Sequence, residues 1–135
     1  MSIRVHRRSS AVMNRQRGER LLLKMLGPEH AAEVRRAWRS LEPDFERYVL
    51  GFVAGEVWSR PGLPLKTRSL VTVSVLAALG RREALALNIR MALNNGASRR
   101  EISEVLLQMA PYAGFPAAWE ALVVASGVYK EFKRR

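Results

Sequence analysis

Cysteine is absent from this chain of 135 residues, which excludes disulfides, thiolate metal sites and every cysteine-based nucleophile or peroxidase. Histidine is scarce: His6 and His30 are the only two, too few for a histidine-rich metal site. No metal is therefore expected. Neither apolar run, around residues 70–79 or 121–128, approaches the roughly 18 residues that span a bilayer, so no membrane is expected as a partner. No acid precedes Glu19, whereas Arg4, Arg7, Arg8, Arg15 and Arg17 are basic. No secretory apolar segment follows that start, which makes the cytoplasm the expected compartment. There is no phosphate-binding glycine loop, and no serine has an evident base.

What is present is ordinary for a globular chain: 48% hydrophobic and 26% charged, enough for one compact core. The formal charge of +11 is uneven, with Lys130, Lys133, Arg134 and Arg135 forming a second basic cluster at the other end. Such clusters attract polyanions or acidic metabolites, or are simply solvated tails. The basic start has no interleaved aromatic residues for base stacking, so nucleic acid is not an expected partner.

The patterning reads as all-α throughout. Residues 1–12 are expected to be a basic mobile arm and residues 13–135 a single helical domain. Leu21, Leu22, Met25 and Leu26 predict a helix over 13–26, stopped by Gly27-Pro28. Val34, Ala37, Trp38 and Leu41 predict one apolar face over 29–41. Phe45, Tyr48, Val49, Phe52, Val53 and Val57 predict a broad apolar stripe on a helix that starts at Pro43. Residues 65–79 are apolar nearly all round, which calls for burial on most sides, either within the monomer or under a neighbouring subunit. Further helices are predicted over 82–94, over 99–110 behind a Ser98–Glu101 capping box, and from Pro116 to about Phe132.

The densest chemistry lies in Gly55-Glu56-Val57-Trp58-Ser59-Arg60-Pro61-Gly62-Leu63, followed by Thr67-Arg68-Ser69-Leu70. One carboxyl and two guanidiniums flank a Pro-Gly turn between segments that read as buried helix. Arginine clamps carboxylates by paired hydrogen bonds. A carboxylic acid among apolar neighbours is a usable proton donor. Glu56 is thus a candidate acid, with a structural ion pair to Arg60 or Arg68 as the alternative. Arg68 enters an apolar helix at its first turn and needs an anion, either a ligand carboxylate or an intrachain glutamate. Arg60 faces solvent or ligand, and Trp58 is core or pocket wall.

That segment resembles the carboxymuconolactone decarboxylase family, as do two later ones. These are Leu87-Asn88-Ile89-Arg90-Met91-Ala92-Leu93-Asn94-Asn95-Gly96-Ala97-Ser98-Arg99-Arg100-Glu101-Ile102 and Tyr112-Ala113-Gly114-Phe115-Pro116-Ala117-Ala118. The resemblance implies an alkylhydroperoxidase-D-like bundle of about six to seven helices that assembles into homo-trimers or homo-hexamers. It also implies cofactor-free decarboxylation of a small carboxylated, unsaturated lactone such as 4-carboxymuconolactone, in aromatic acid catabolism. Glu56 and Asn88 then hold catalytic positions, and Trp58, Arg60, Arg68, Arg90 and Tyr112 substrate-binding ones. The family's peroxidase branch has a Cys-x-x-Cys and a histidine where this chain has Arg68, Val71 and Val75. Its decarboxylases usually have histidine at the position of Asn88, which donates and accepts hydrogen bonds but cannot shuttle a proton. The alternative is therefore a diverged member that binds an acidic metabolite or acts on a different substrate without decarboxylation.

Overall fold

The computed structural model describes the backbone of residues 2–133 and the side chains of residues 10–132. The side chains of Arg4, His6, Arg7, Arg8, Lys133, Arg134 and Arg135 lie outside the described ones. Every element among the described residues is helical. The chain divides into two compact units, Met1–Gly62 and Leu63–Arg135.

The first unit holds α1 (Ser2–Leu26), α2 (Pro28–Leu41), α3 (Pro43–Tyr48) and a π-helix (Val49–Val57) that continues directly from α3. Helical backbone begins at Ser2, within the segment expected to be an arm, and Leu22, Met25 and Leu26 of α1 are buried as their spacing predicted. Gly27 and Pro28 separate α1 from α2, with Pro28 at the first helical position where its missing N–H costs nothing.

Two apolar faces differ from the sequence reading. In α2 the buried residue is Ala31, while Leu41 is 83% exposed; Trp38 is half-buried and meets Phe45 edge-on at 6.0 Å. In the π-helix the buried residues are Leu50, Ala54 and Gly55; of the predicted stripe, Phe45 and Tyr48 of α3 and Phe52, Val53 and Val57 of the π-helix are exposed, and Val49 is half-buried. Beyond Tyr48 the winding contributes. A π-helix bonds i to i+5, as Trp58 N–H does to the Val53 carbonyl at 2.9 Å, so residues five apart share a face. Leu50 and Gly55 are such a pair, and α-helical spacing cannot find them.

The inward face carries glycine because two backbones touch there. A β-carbon on Gly18 of α1 would collide with the Leu50 carbonyl, and one on Gly55 with the carbonyls of Asn14 and Leu50. Both glycines are buried. Their missing side chains let α1 lie directly on the π-helix, which places the next residue, Glu56.

Glu46, 3% exposed, anchors the other helices of this unit. It accepts from Arg39 Nη2 at 2.8 Å and Nε at 3.0 Å, and from Arg35 Nε at 3.2 Å. The Arg39 hydrogen bonds hold its carboxyl below the usual carboxylate range, with Arg35 adding to the effect against the cost of burial. A lowered folded-state value means that the carboxylate's contribution is complete above the unfolded value, about 4.3. It is lost as pH falls through the folded one. Glu46→Gln should cost about 1–2 kcal/mol at neutral pH, below the usual price of breaking a buried pair because the arginines are partly exposed and can rehydrate. Thermal melts of the two proteins between neutral and strongly acid pH check this, and their difference should close as pH drops.

The second unit holds α4 (Leu65–Leu79), α5 (Arg82–Asn94), α6 (Arg99–Ala113) and α7 (Phe115–Lys133). Its core is a single cluster that includes Val73, Ala77, Leu85, Ile89, Ile102 and Leu106. Gly80 ends α4 in a left-handed conformation (φ 70°) that favours glycine. The capping box at the start of α6 is formed on both sides: Ser98 Oγ accepts from Glu101 N–H, and the Glu101 carboxylate accepts from Ser98 N–H, each at 3.0 Å. In α4 the inward stripe is Ser69, Val73 and Ala77. A second stripe, Val71, Val75 and Leu79, is about half exposed or more.

Candidate functional site

Glu56, Trp58 and Arg60 belong to the first unit. Glu56 is exposed and lies near the end of the π-helix, beyond the buried Gly55 and beside the exposed Phe52, Val53 and Val57. The sequence placed it among buried apolar residues. Instead the same winding that turns Gly55 inward turns Glu56 and its apolar neighbours outward. Among the described residues of this unit, the Glu56 carboxylate forms no ion pair. Trp58 is half-buried and Arg60 exposed. The turn is tied back by Ser59 Oγ, which donates to the Ala54 carbonyl at 2.7 Å, and Arg17 Nη1 donates to the Gly55 carbonyl at 3.4 Å.

Arg68, Asn88, Arg90 and Tyr112 belong to the second unit. Arg68 is half-buried in the first turn of α4. Its N–H opens the helix by bonding the Pro64 carbonyl at 3.0 Å, and its own carbonyl accepts from Thr72 Oγ1 at 2.8 Å. Asn88, half-buried on α5, donates from Nδ2 to the Ala84 carbonyl at 2.8 Å, which fixes the amide plane and leaves its oxygen and second N–H for other partners.

The structure separates Arg90 from Asn88. Two residues apart on an α-helix is a rotation of about 200°, so they occupy opposite faces of α5. Arg90 points at α7, where Nη2 pairs with Glu131 Oε2 at 2.6 Å and the side chain is 11% exposed. It lies in a cleft of about 390 Å³ between α5 and α7, walled by Ala86, Leu87, Val124 and Val128. Tyr112, at the end of α6, is 85% exposed.

Sequence reading missed four residues that hold the start of α4. Lys66 Nζ pairs with Glu101 Oε2 at 2.8 Å, and Ser69 Oγ accepts from Asn95 Nδ2 at 2.9 Å. Glu101 therefore serves α6 and α4 at once, and Lys66 beside the capping contact lowers its carboxyl from the ordinary value. Ser69 was the available signal: a hydroxyl on the inward face of an apolar helix needs a hydrogen-bond partner.

Among the described residues, no helix is long and apolar enough to cross a membrane. A family model described as "Carboxymuconolactone decarboxylase family" matches residues 43–126, a span that includes Glu56, Arg68, Asn88 and Tyr112. The chain is 40% identical over 116 residues to a 4-carboxymuconolactone decarboxylase of Acinetobacter baylyi, covering 86% of this chain and 87% of that protein. It is 34% identical over 100 residues to a nitrosuccinic acid decarboxylase of Metarhizium robertsii, covering 74% and 70%. It is 37% identical over 98 residues to an uncharacterized 15.0 kDa protein of Paracoccus denitrificans, covering 71% and 73%.

Proposed function

The chain belongs to the carboxymuconolactone decarboxylase family, and from that membership we propose that it is a carboxy-lyase acting without a cofactor on 4-carboxymuconolactone or a close relative, in aromatic acid catabolism. The observation that carries this is the 40% identity to a 4-carboxymuconolactone decarboxylase, sustained over 87% of that protein's length. The nitrosuccinic acid decarboxylase shares loss of carbon dioxide from a small acid, though on a different skeleton.

The chemistry divides into three tasks. The bond between the ring carbon and the carboxylate breaks, carbon dioxide leaves, and the electron pair passes into the conjugated lactone. A proton must then be delivered to carbon. We assign that proton to Glu56, the carboxylate clamp to Arg68, and orientation of substrate oxygens to Asn88, whose amide keeps one N–H after bonding Ala84. Trp58 and Arg60 accompany Glu56 on the same turn. The exposed Tyr112 is assigned a secondary role in binding, whereas Arg90, paired with Glu131 on the face of α5 opposite Asn88, is assigned to holding α5 against α7.

A homo-oligomer, trimer or hexamer, is part of the same proposal. The outward stripes Phe52, Val53 and Val57 on the π-helix and Val71, Val75 and Leu79 on α4 leave large apolar side chains exposed, the kind of surface that subunit contacts bury. Covering by further copies of the chain would remove them. The compartment proposed is the cytoplasm.

Purified protein should release carbon dioxide from 4-carboxymuconolactone, measured together with the loss of substrate absorbance. No release under any buffer condition would sink the assignment. Arg68→Ala should lose about 2–3 kcal/mol of transition-state binding, roughly 30- to 150-fold in kcat/KM, seen mainly in KM.

A further inference from the structure

We infer that Asn95 is a positioning residue for Arg68: its side-chain bond to the buried Ser69 sets the rotation of α4 about its own axis, and so the direction in which the Arg68 guanidinium points. This rests on the reading that Arg68 binds the substrate carboxylate. Ser69 is completely buried and directly follows Arg68, and its hydroxyl oxygen accepts from Asn95 Nδ2 at 2.9 Å, across 26 residues of sequence.

The bond acts from a fixed base. Asn95 closes α5, and its own N–H bonds the Met91 carbonyl at 2.8 Å, so the amide stands on backbone already held by the helix. On the other side, Ser69 heads the inward stripe that continues through Val73 and Ala77, all three 2% exposed or less. Arg68 is one residue away, about 100° around the same helix, at the margin of that stripe. A small rotation of the first turn leaves the apolar contacts of Val73 and Ala77 nearly intact but swings a long side chain such as arginine through a much larger arc.

A second tie on this turn, Lys66 to Glu101, is weaker. Lys66 and Glu101 are 42% and 39% exposed, and ion pairs so open to water contribute little. The Ser69–Asn95 bond is screened from water on the serine side, so losing it leaves a buried hydroxyl without its partner. Of these two ties it is the one that better resists rotation of the turn.

The test is a double-mutant cycle on the full chain, with steady-state kinetics on 4-carboxymuconolactone and thermal melts for wild type, Asn95→Ala, Arg68→Ala and the double variant. Asn95→Ala is expected to raise KM about tenfold while kcat stays within about threefold, and to have no further effect on KM once Arg68 is alanine. Its effect on the melting temperature should be the same in both backgrounds. Ser69→Ala removes the same bond from the other side and stands in if Asn95→Ala does not fold. An unchanged KM with a lowered melting temperature, or an equal rise in KM with and without Arg68, would show a purely structural role and overturn the inference alone. An Arg68→Ala protein with wild-type KM would remove the carboxylate-binding reading and this inference together.

Discussion

Glu56→Gln is expected to abolish most turnover, lowering kcat by about 10²- to 10⁴-fold, the usual range for loss of a positioned proton donor. The melting temperature should not move. Glutamine keeps the shape and hydrogen-bonding reach of glutamate but carries no proton that it can give to carbon. The side chain points away from the core of its own unit, and among the described residues of that unit it forms no ion pair that the substitution could break. Stability and activity are thus separable at this position. Rapid-quench measurement of carbon dioxide release, alongside a thermal melt, would check both halves. Wild-type turnover in the glutamine protein would remove Glu56 from the mechanism and pass the proton to another group.

Gly18→Ala is expected to be the most damaging single methyl group in the first unit, at about 3 kcal/mol or more. The new β-carbon would occupy the place of the Leu50 carbonyl oxygen and would also stand 2.8 Å from the carbonyl carbon, so backbone rather than a pliable side chain must yield. The π-helix would have to move off α1, and Glu56 with it, so activity should fall with stability. Gly51→Ala is the control. It lies on the same π-helix, but a β-carbon there meets nothing within 4 Å, and its effect should stay below about 1 kcal/mol. Denaturant melts of the three proteins would decide. Equal stabilities for the alanines at 18 and 51 would mean that the two backbones are not in contact.

Both expectations concern one face that ordinary patterning reads backwards. Phe45, Tyr48, Phe52, Val53 and Val57 repeat as an α-helix would require to face a core, yet they are exposed. The inward residues are Glu46, Leu50, Ala54 and Gly55, a set that includes a charged side chain and a glycine. Hydrophobicity could not have selected it. Glu46 is buried because two arginines of α2 reach it, and Gly55 because α1 leaves no room for anything larger.

Local chemistry settled what could be settled locally. The helical class follows from the spacing of Leu22, Met25 and Leu26 and from the apolar length of residues 65–79. The breaks follow from Gly27-Pro28, Pro43 and Gly80, and the Ser98–Glu101 box follows from two residue types three apart. These are short-range effects, in which a residue's own backbone preference or its next turn holds the answer. The close approach of Gly18 to the π-helix, the arginine cage around Glu46, the Asn95 amide on Ser69 and the pairing of Arg90 with Glu131 were decided only by packing. Each joins positions distant in sequence, and which partner a side chain meets depends on helices that must first be laid against one another.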